Sequence, residues 1–257
     1  MKEKLLLLTI LSGFMTIPGY GQNNISSNRY INTYKQYSNA ACPLEKDSIK
    51  HFVYFARDRE AIHNHPFLKI KRFVGAQIMY PWELLEPEKG TYDFSIIRED
   101  YKYLLSQKKK LFIQLQDATF RPEDIGIPGY LLTAEFDGGA IPQVAGNGDT
   151  VGWVAKRWNQ EVQDRFARLL QALGKKFDGK VEGINLQETS IDINLRESSI
   201  SVRSDIDSTF SPERYSESIK INMLSLKKAF PKSTTMQYAN FMPGEWLPRD
   251  DKGYLLS

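Results

Sequence analysis

Apolar residues come in short runs separated by longer amphipathic stretches. A first run, His51–Ala56, is followed by a polar stretch through His65 and a second run, Phe73–Tyr80. Ile96, Ile97, Tyr101, Leu104 and Leu105 recur at helical spacing, and a basic cluster, Lys108–Lys110, leads into a third run, Leu111–Gln116. Runs of this length bounded by polar residues read as strands, and the periodic stretch between them as a helix with one buried face. The clearest helix follows: Val162, Phe166, Leu169, Leu170, Leu173 and Phe177 form one apolar stripe, with Asn159 as its cap and Glu161 in the first turn. A fourth run, Val181–Gln187, precedes a polar loop. Ser211, Pro212 and Glu213 start another helix, whose stripe is Tyr215, Ile219, Met223, Leu226 and Phe230. Pro231 stops it, and a fifth run spans Thr234–Asn240.

Short apolar strands alternating with amphipathic helices imply a parallel sheet covered by helices, an α/β fold. A doubly wound nucleotide-binding sheet carries a glycine-rich turn after its first strand, and the segment from Ala56 to Ala61 has no glycine. A (β/α)8 TIM barrel is therefore expected. Gln77, Gln116, Gln187 and Gln237 recur near the ends of four strands, where inward amides can form a polar floor that hydrogen-bonds a hydroxyl-rich ligand. Five strands are countable where a barrel has eight, so residues 48–257 read as a barrel truncated after about five β/α units.

The first 21 residues add a destination. Lys2 and Lys4 precede an apolar stretch from Leu5 to Met15, then Pro18 and the small residues Gly19 and Gly21, the pattern of a cleavable secretory signal. The apolar run is too short for the ~20 residues that span a bilayer, so export to the periplasm or the extracellular space is expected, with no stable membrane insertion after cleavage. Residues 22–47, rich in Asn, Ser and Tyr without periodicity, read as an N-terminal arm. Cys42 is the only cysteine, which excludes an internal disulfide. Lys+Arg of 34 against Asp+Glu of 31 leaves +3, too balanced for a nucleic-acid binder. Aromatic residues make up 12% of the chain, a supply suited to stacking on amphipathic ligands.

Two stretches then carry a resemblance. In residues 74–97, Trp82 precedes Glu86, Pro87, Gly90, Tyr92, Asp93 and Phe94. This resembles the second strand and following loop of glycoside hydrolases of clan A, where a Trp and an E-P-x-x-G-x-[YF]-[DN]-F pattern precede the second helix. Pro87 and Gly90 make a turn, and Tyr92 and Phe94 can anchor the loop on the barrel rim. Glu86 and Glu88 read better as loop residues than as catalytic ones. The second stretch is Gly183–Ser190. The clan's acid/base glutamate ends the fourth strand directly after an Asn, and here Glu188 follows the fourth run, with Gln187 in place of that Asn.

The resemblance implies a retaining mechanism with Glu188 as general acid/base and a nucleophilic Glu on the seventh strand, beyond Ser257. Glycoside hydrolysis usually takes two carboxylates, and within the chain only Asp117 and Glu245 are candidates for the second. Asp117 is read as a ligand contact or as a cap on the loop after it. Tyr80, Trp82, Gln116, Asp117, Gln187 and Asn240 are expected to line a carbohydrate cleft by stacking or hydrogen bonding. The segment from Ala118 to about Arg157 is too long for a plain connection, and its Tyr130, Leu131, Leu132, Phe136 and Trp153 argue for order, so it is expected to wall the cleft. Gly138, Gly139, Gly146 and Gly148 lack a following Lys-Ser/Thr and read as a flexible rim, not a phosphate cradle. His63 and His65 lie on different faces of a helix, which leaves no metal site, and no cofactor is implied. No G-x-S-x-G occurs, which removes an esterase. A non-catalytic carbohydrate-binding barrel that kept the cleft is the rival reading.

Overall fold

The computed structural model describes residues 49–145, 148–191, 207–240 and 242. These belong to one unit, Ile49–Ser257. The expected signal (1–21) and arm (22–47), with Cys42, Gly146 and Glu245, lie outside the described residues. In chain order the elements are β1 (His51–Tyr54), β2 (Phe73–Pro81), the single turn α1 (Trp82–Leu85), α2 (Ser95–Ser106), β3 (Lys110–Gln116) and β4 (Ala118–Thr119). Then come β5 (Ala140–Val144), β6 (Thr150–Ala155), α3 (Gln160–Phe177), β7 (Gly183–Leu186), α4 (Pro212–Ala229) and β8 (Thr234–Gln237).

Strands β1, β2, β3, β7 and β8 form one sheet in that order, and every neighbouring pair is parallel. All five apolar runs are therefore adjacent strands in sequence order, the arrangement of consecutive β/α units in a (β/α)8 barrel; a doubly wound sheet would reverse direction partway. The two faces of the sheet differ. On the helix side, Ile78 and Tyr80 of β2, Leu111, Ile113 and Leu115 of β3 and Ile184 and Leu186 of β7 join the core made with α2 and α3. On the other side, Phe52 meets Phe112 edge-on at 5.5 Å, and the Gln77 amide donates to Asn185 Oδ1 at 2.8 Å. This inner face has no room to spare near the strand starts: a Cβ on Gly75 would lie 2.0 Å from the Lys110 carbonyl oxygen.

The caps read from sequence are made. Asn159 Oδ1 accepts from Val162 N at 3.0 Å, and Ser211 Oγ accepts from Arg214 N at 3.2 Å, each the kind of bond whose loss costs about 1 kcal/mol. Gly174 lets α4 approach α3, since a Cβ there would lie 2.1 Å from the Ala229 carbonyl oxygen. The α4 stripe needs one correction. Tyr215, Ile219, Leu226 and Phe230 are buried, but Met223 is 44% exposed and Asn222 is buried instead. Spacing by four, three and four from Tyr215 reaches Ile219, Asn222 and Leu226, while Met223 falls a further ~100° round the helix.

The excursion between β3 and α3 is ordered. Its β5–β6 hairpin and the short β4 make a separate antiparallel sheet in the order β4-β6-β5. Gly138 and Gly139, expected as part of a flexible rim, form a left-handed turn with Asp137, and their amides donate to the carbonyls of Thr133 and Phe136 at 2.9 Å. The Gly139 position is also tight, since a Cβ there would lie 2.2 Å from the Leu131 carbonyl oxygen.

Candidate active site

Glu188 sits just past the end of β7, where the chain leaves the strand, and its side chain is half-buried. Asn240, past the end of β8, donates from Nδ2 to Glu188 Oε2 at 2.8 Å. The backbones are tied beside this contact: Asn240 N donates to Thr189 Oγ1 at 2.8 Å, and Thr189 Oγ1 donates to the Asn240 carbonyl at 3.0 Å. Tyr54, at the end of β1, is in register with Gln77 and so shares the inner face; it is 51% exposed. Partial burial pushes its phenol pKa up, and the Glu188 charge pushes it further. Glu188, Asn240 and Tyr54 thus converge at the C-terminal ends of three strands, and a carboxylate there is open to a ligand.

Behind Glu188 lies a buried node. The Arg157 guanidinium donates from Nε to Asp117 Oδ2 at 2.7 Å and from Nη2 to Asp117 Oδ1 at 2.8 Å, a bidentate pair. Its Nη1 donates to the Glu188 carbonyl at 2.9 Å and to the Tyr215 hydroxyl at 2.6 Å. The Tyr215 hydroxyl in turn donates to the Thr189 carbonyl at 2.8 Å. Burial works against the Arg157 charge, but Asp117 and Tyr215 outweigh it and the pKa is raised. Burial is also the main cause that raises the Tyr215 phenol.

The remaining residues expected to line a cleft are placed differently. Tyr80 is fully buried on the helix side and its hydroxyl donates to Asp100 Oδ2 of α2 at 2.8 Å. Trp82 is also fully buried, packed edge-on against Phe166 of α3 at 5.0 Å. Both lie under the helix layer, since apolar rings at these positions bury more surface against α2 and α3 than at a wet rim. Asp117 has both oxygens engaged by Arg157, so it is an ion-pair anchor in place of the expected ligand contact or loop cap. Gln187 Oε1 accepts from the backbone N–H groups of Asp117 and Ala118 at 2.8 and 2.6 Å, which spends it on the end of β3. Gln116 donates to the Ala118 carbonyl at 3.0 Å, and its buried Oε1, like that of Gln114, has no hydrogen-bond partner among the described residues.

The polar floor is therefore different from the four expected glutamines. Gln237 is in register with Leu186, a helix-side residue, and leaves the inward row; its amide donates to the carbonyls of Gln187 and Tyr238. Asn185 takes part instead, through Gln77. Alternation along the fourth run places Asn185 on the same face as Gln187, so the sequence did carry that signal. For Arg157, forty positions from its partner Asp117, it carried none.

The motif in residues 74–97 serves the loop. Glu86 is fully buried; its Oε2 accepts from Trp82 Nε1 at 3.0 Å, its Oε1 accepts from Gly90 N at 2.9 Å, and it pairs with Arg165. Tyr92 stacks on Phe94 at 5.8 Å, and Phe94 packs edge-on against Phe177 at 6.0 Å. The pattern is thus a staple between β2 and α3, which fits the reading of Glu86 as a loop residue. Among the described residues no group of three or more His, Cys, Asp or Glu could hold a metal ion.

No family model and no curated protein matches the sequence. Among solved structures, the chain is similar at low identity to glycoside hydrolases. An exo-β-1,4-mannosidase from Opitutaceae bacterium strain TAV5 is 12% identical, with 74% of this chain and 32% of that one covered at a TM-score of 0.45. For endo-glycoceramidase II from Rhodococcus sp. the figures are 10%, 74%, 48% and 0.48. For a GH10 endoxylanase from a sugarcane soil metagenome they are 13%, 73%, 47% and 0.40. The chain spans less than half the length of each of these structures.

Proposed function

We propose that the protein is an exported glycoside hydrolase that cleaves O-glycosidic bonds in an oligo- or polysaccharide with retention, using Glu188 as general acid/base. The observation that carries this reading is the half-exposed Glu188 carboxylate at the end of the fourth parallel strand, hydrogen-bonded by Asn240 on the next strand. In a barrel, the C-terminal ends of the strands are where catalytic groups gather. The neutral acid protonates the leaving glycosidic oxygen while a nucleophile attacks the anomeric carbon. The resulting carboxylate then takes a proton from the water that releases the glycosyl group. Asn240 holds the carboxylate in one pose, and Tyr54 presents a ring and a hydroxyl to the same space. Both oxygens of Asp117 are bound by Arg157, which supports a nucleophile other than Asp117.

Glu188→Gln removes the proton donor and keeps the shape. Substrates with poor leaving groups should lose about 10²–10⁴-fold in kcat/KM, and activated aryl glycosides much less, since their leaving oxygen needs little protonation. Steady-state kinetics on both substrate types checks this. Equal losses with a proportional rise in KM would make Glu188 a ligand contact and favour the carbohydrate-binding barrel.

A further inference from the structure

We infer that Arg157 is a positioning residue for Glu188, acting with Tyr215 to fix the peptide from which the acid/base projects. The inference rests on the functional reading of Glu188 and extends it to residues that do not touch the substrate.

Glu188 and Thr189 lie past the end of β7, where the Thr189 N–H still donates to the Tyr238 carbonyl on the β8 side at 3.1 Å. Their own two carbonyls are held by one node. Arg157 Nη1 reaches the Glu188 carbonyl at 2.9 Å, and the Tyr215 hydroxyl reaches that of Thr189 at 2.8 Å. The node is itself rigid. Asp117 fixes the guanidinium with two bonds, Gln187 ties Asp117 and Ala118 back to the end of β7, and Tyr215 is fully buried on α4. Three elements, β3, β7 and α4, are thereby locked to one peptide. The Asn240 Nδ2 contact then sets the side-chain torsions of Glu188. Acid catalysis needs its donor within hydrogen-bond reach of one oxygen, so a displacement of the Glu188 backbone costs proton transfer before it costs binding.

Charge argues the same way. Asp117 is 4% exposed, and without Arg157 it would be an uncompensated carboxylate beside the acid/base. Lysine at position 157 keeps the charge but not the fork that serves Asp117 and the Glu188 carbonyl at once. Phenylalanine at position 215 keeps the ring and deletes only the hydroxyl.

The test uses the full-length protein and a pair of aryl glycosides of one sugar, a dinitrophenyl and a methylphenyl glycoside. The sugar is the one released fastest from a nitrophenyl panel. The rate ratio of the two substrates is measured for wild type, Glu188→Gln, Arg157→Lys and Tyr215→Phe. Arg157→Lys and Tyr215→Phe should each lower kcat/KM on the methylphenyl glycoside by about 10-fold or more, with little change in kcat/KM on the dinitrophenyl glycoside, because this parameter reports the acid-assisted first step and not the later step in which Glu188 is the base. Tyr215→Phe decides the matter if Arg157→Lys does not fold, as judged by its circular dichroism. A merely structural node would lower both rates alike. If Glu188→Gln is selective and Tyr215→Phe lowers both substrates equally, the positioning role is overturned while the acid/base survives. If Glu188→Gln shows no selectivity, or the wild type cleaves no member of the panel, the functional reading falls and this inference with it.

Discussion

Two glutamates beside nitrogen donors behave in opposite ways because of where their oxygens end up. Glu86 is buried with its oxygens divided among Trp82 Nε1, Gly90 N and Arg165, whereas Glu188 keeps part of its carboxylate in the open and meets Asn240. Removing the charge at position 86 leaves Arg165, itself 8% exposed at its side chain, without its counter-ion. Losing one partner of a buried pair costs about 3–5 kcal/mol, so Glu86→Gln should lower the urea midpoint sharply with an unchanged slope. Wild-type stability in that variant would show that the pair is not a buried anchor. Some of this was readable in the chain and some was misread. Tyr80 lies three positions from Gln77, an odd spacing that puts the two on opposite faces of a strand, so the inward amide already implied a helix-side tyrosine. The bond from Arg157 to Asp117 depends on how a long excursion folds back, and no local pattern encodes that.

At the scale of elements, the regular pieces were legible because each obeys one period. All five strands, the stripe of α3 and both helix caps follow from alternation, from spacing by three and four, and from residue types that cap. The antiparallel sheet β4-β6-β5 did not follow, since its strands are short and its pattern is broken by Pro142 and Gly152. The entry to α4 shows how such irregular stretches are held. Asp207 is buried, accepts from Trp158 Nε1 at 2.9 Å and from Thr209 N at 2.8 Å, and lies 3.3 Å from Lys156 Nζ. Burial pushes its pKa up, but Thr209, Lys156 and Trp158 together push further the other way, so it lies below the usual carboxylate range. The unfolded chain then binds this proton more readily, and the stabilisation is complete above the unfolded value and lost as pH falls through the lowered one. Asp207→Asn should cost about 1.5–3 kcal/mol at neutral pH and flatten the acid side of the stability curve. Thermal melts from pH 7 down to pH 3 check it, and an unchanged slope would assign the acid sensitivity elsewhere.

At the scale of the molecule, the five parallel strands lie in sequence order, yet the paired strands of the two sheets are joined by very unequal lengths of chain. Val144 pairs with Thr150 within one hairpin, whereas Phe112 pairs with Gly183 only after the entire excursion and α3 have been threaded between them. Chain-closure entropy for the longer pairing exceeds that of the hairpin by about 2 kcal/mol, at ~0.6 kcal/mol for each doubling of length. The hairpin is therefore expected to form early, on the microsecond scale of isolated hairpins, and β7 to dock late. Pulse-labelled hydrogen exchange should find the amides of Ile141 and Val154 protected before those of Ile184 and Leu186, and simultaneous protection would refute this order. The excursion ends at Ala155, two residues before Arg157. The guanidinium is thus delivered by a part of the chain expected to mature first, and the peptide of Glu188 closes onto an Arg157–Asp117 pair already in place, with Tyr215 following on α4. Folding history, and not only final geometry, then protects the proposed acid/base: an error in docking β7 leaves that pair intact and the attempt can be repeated.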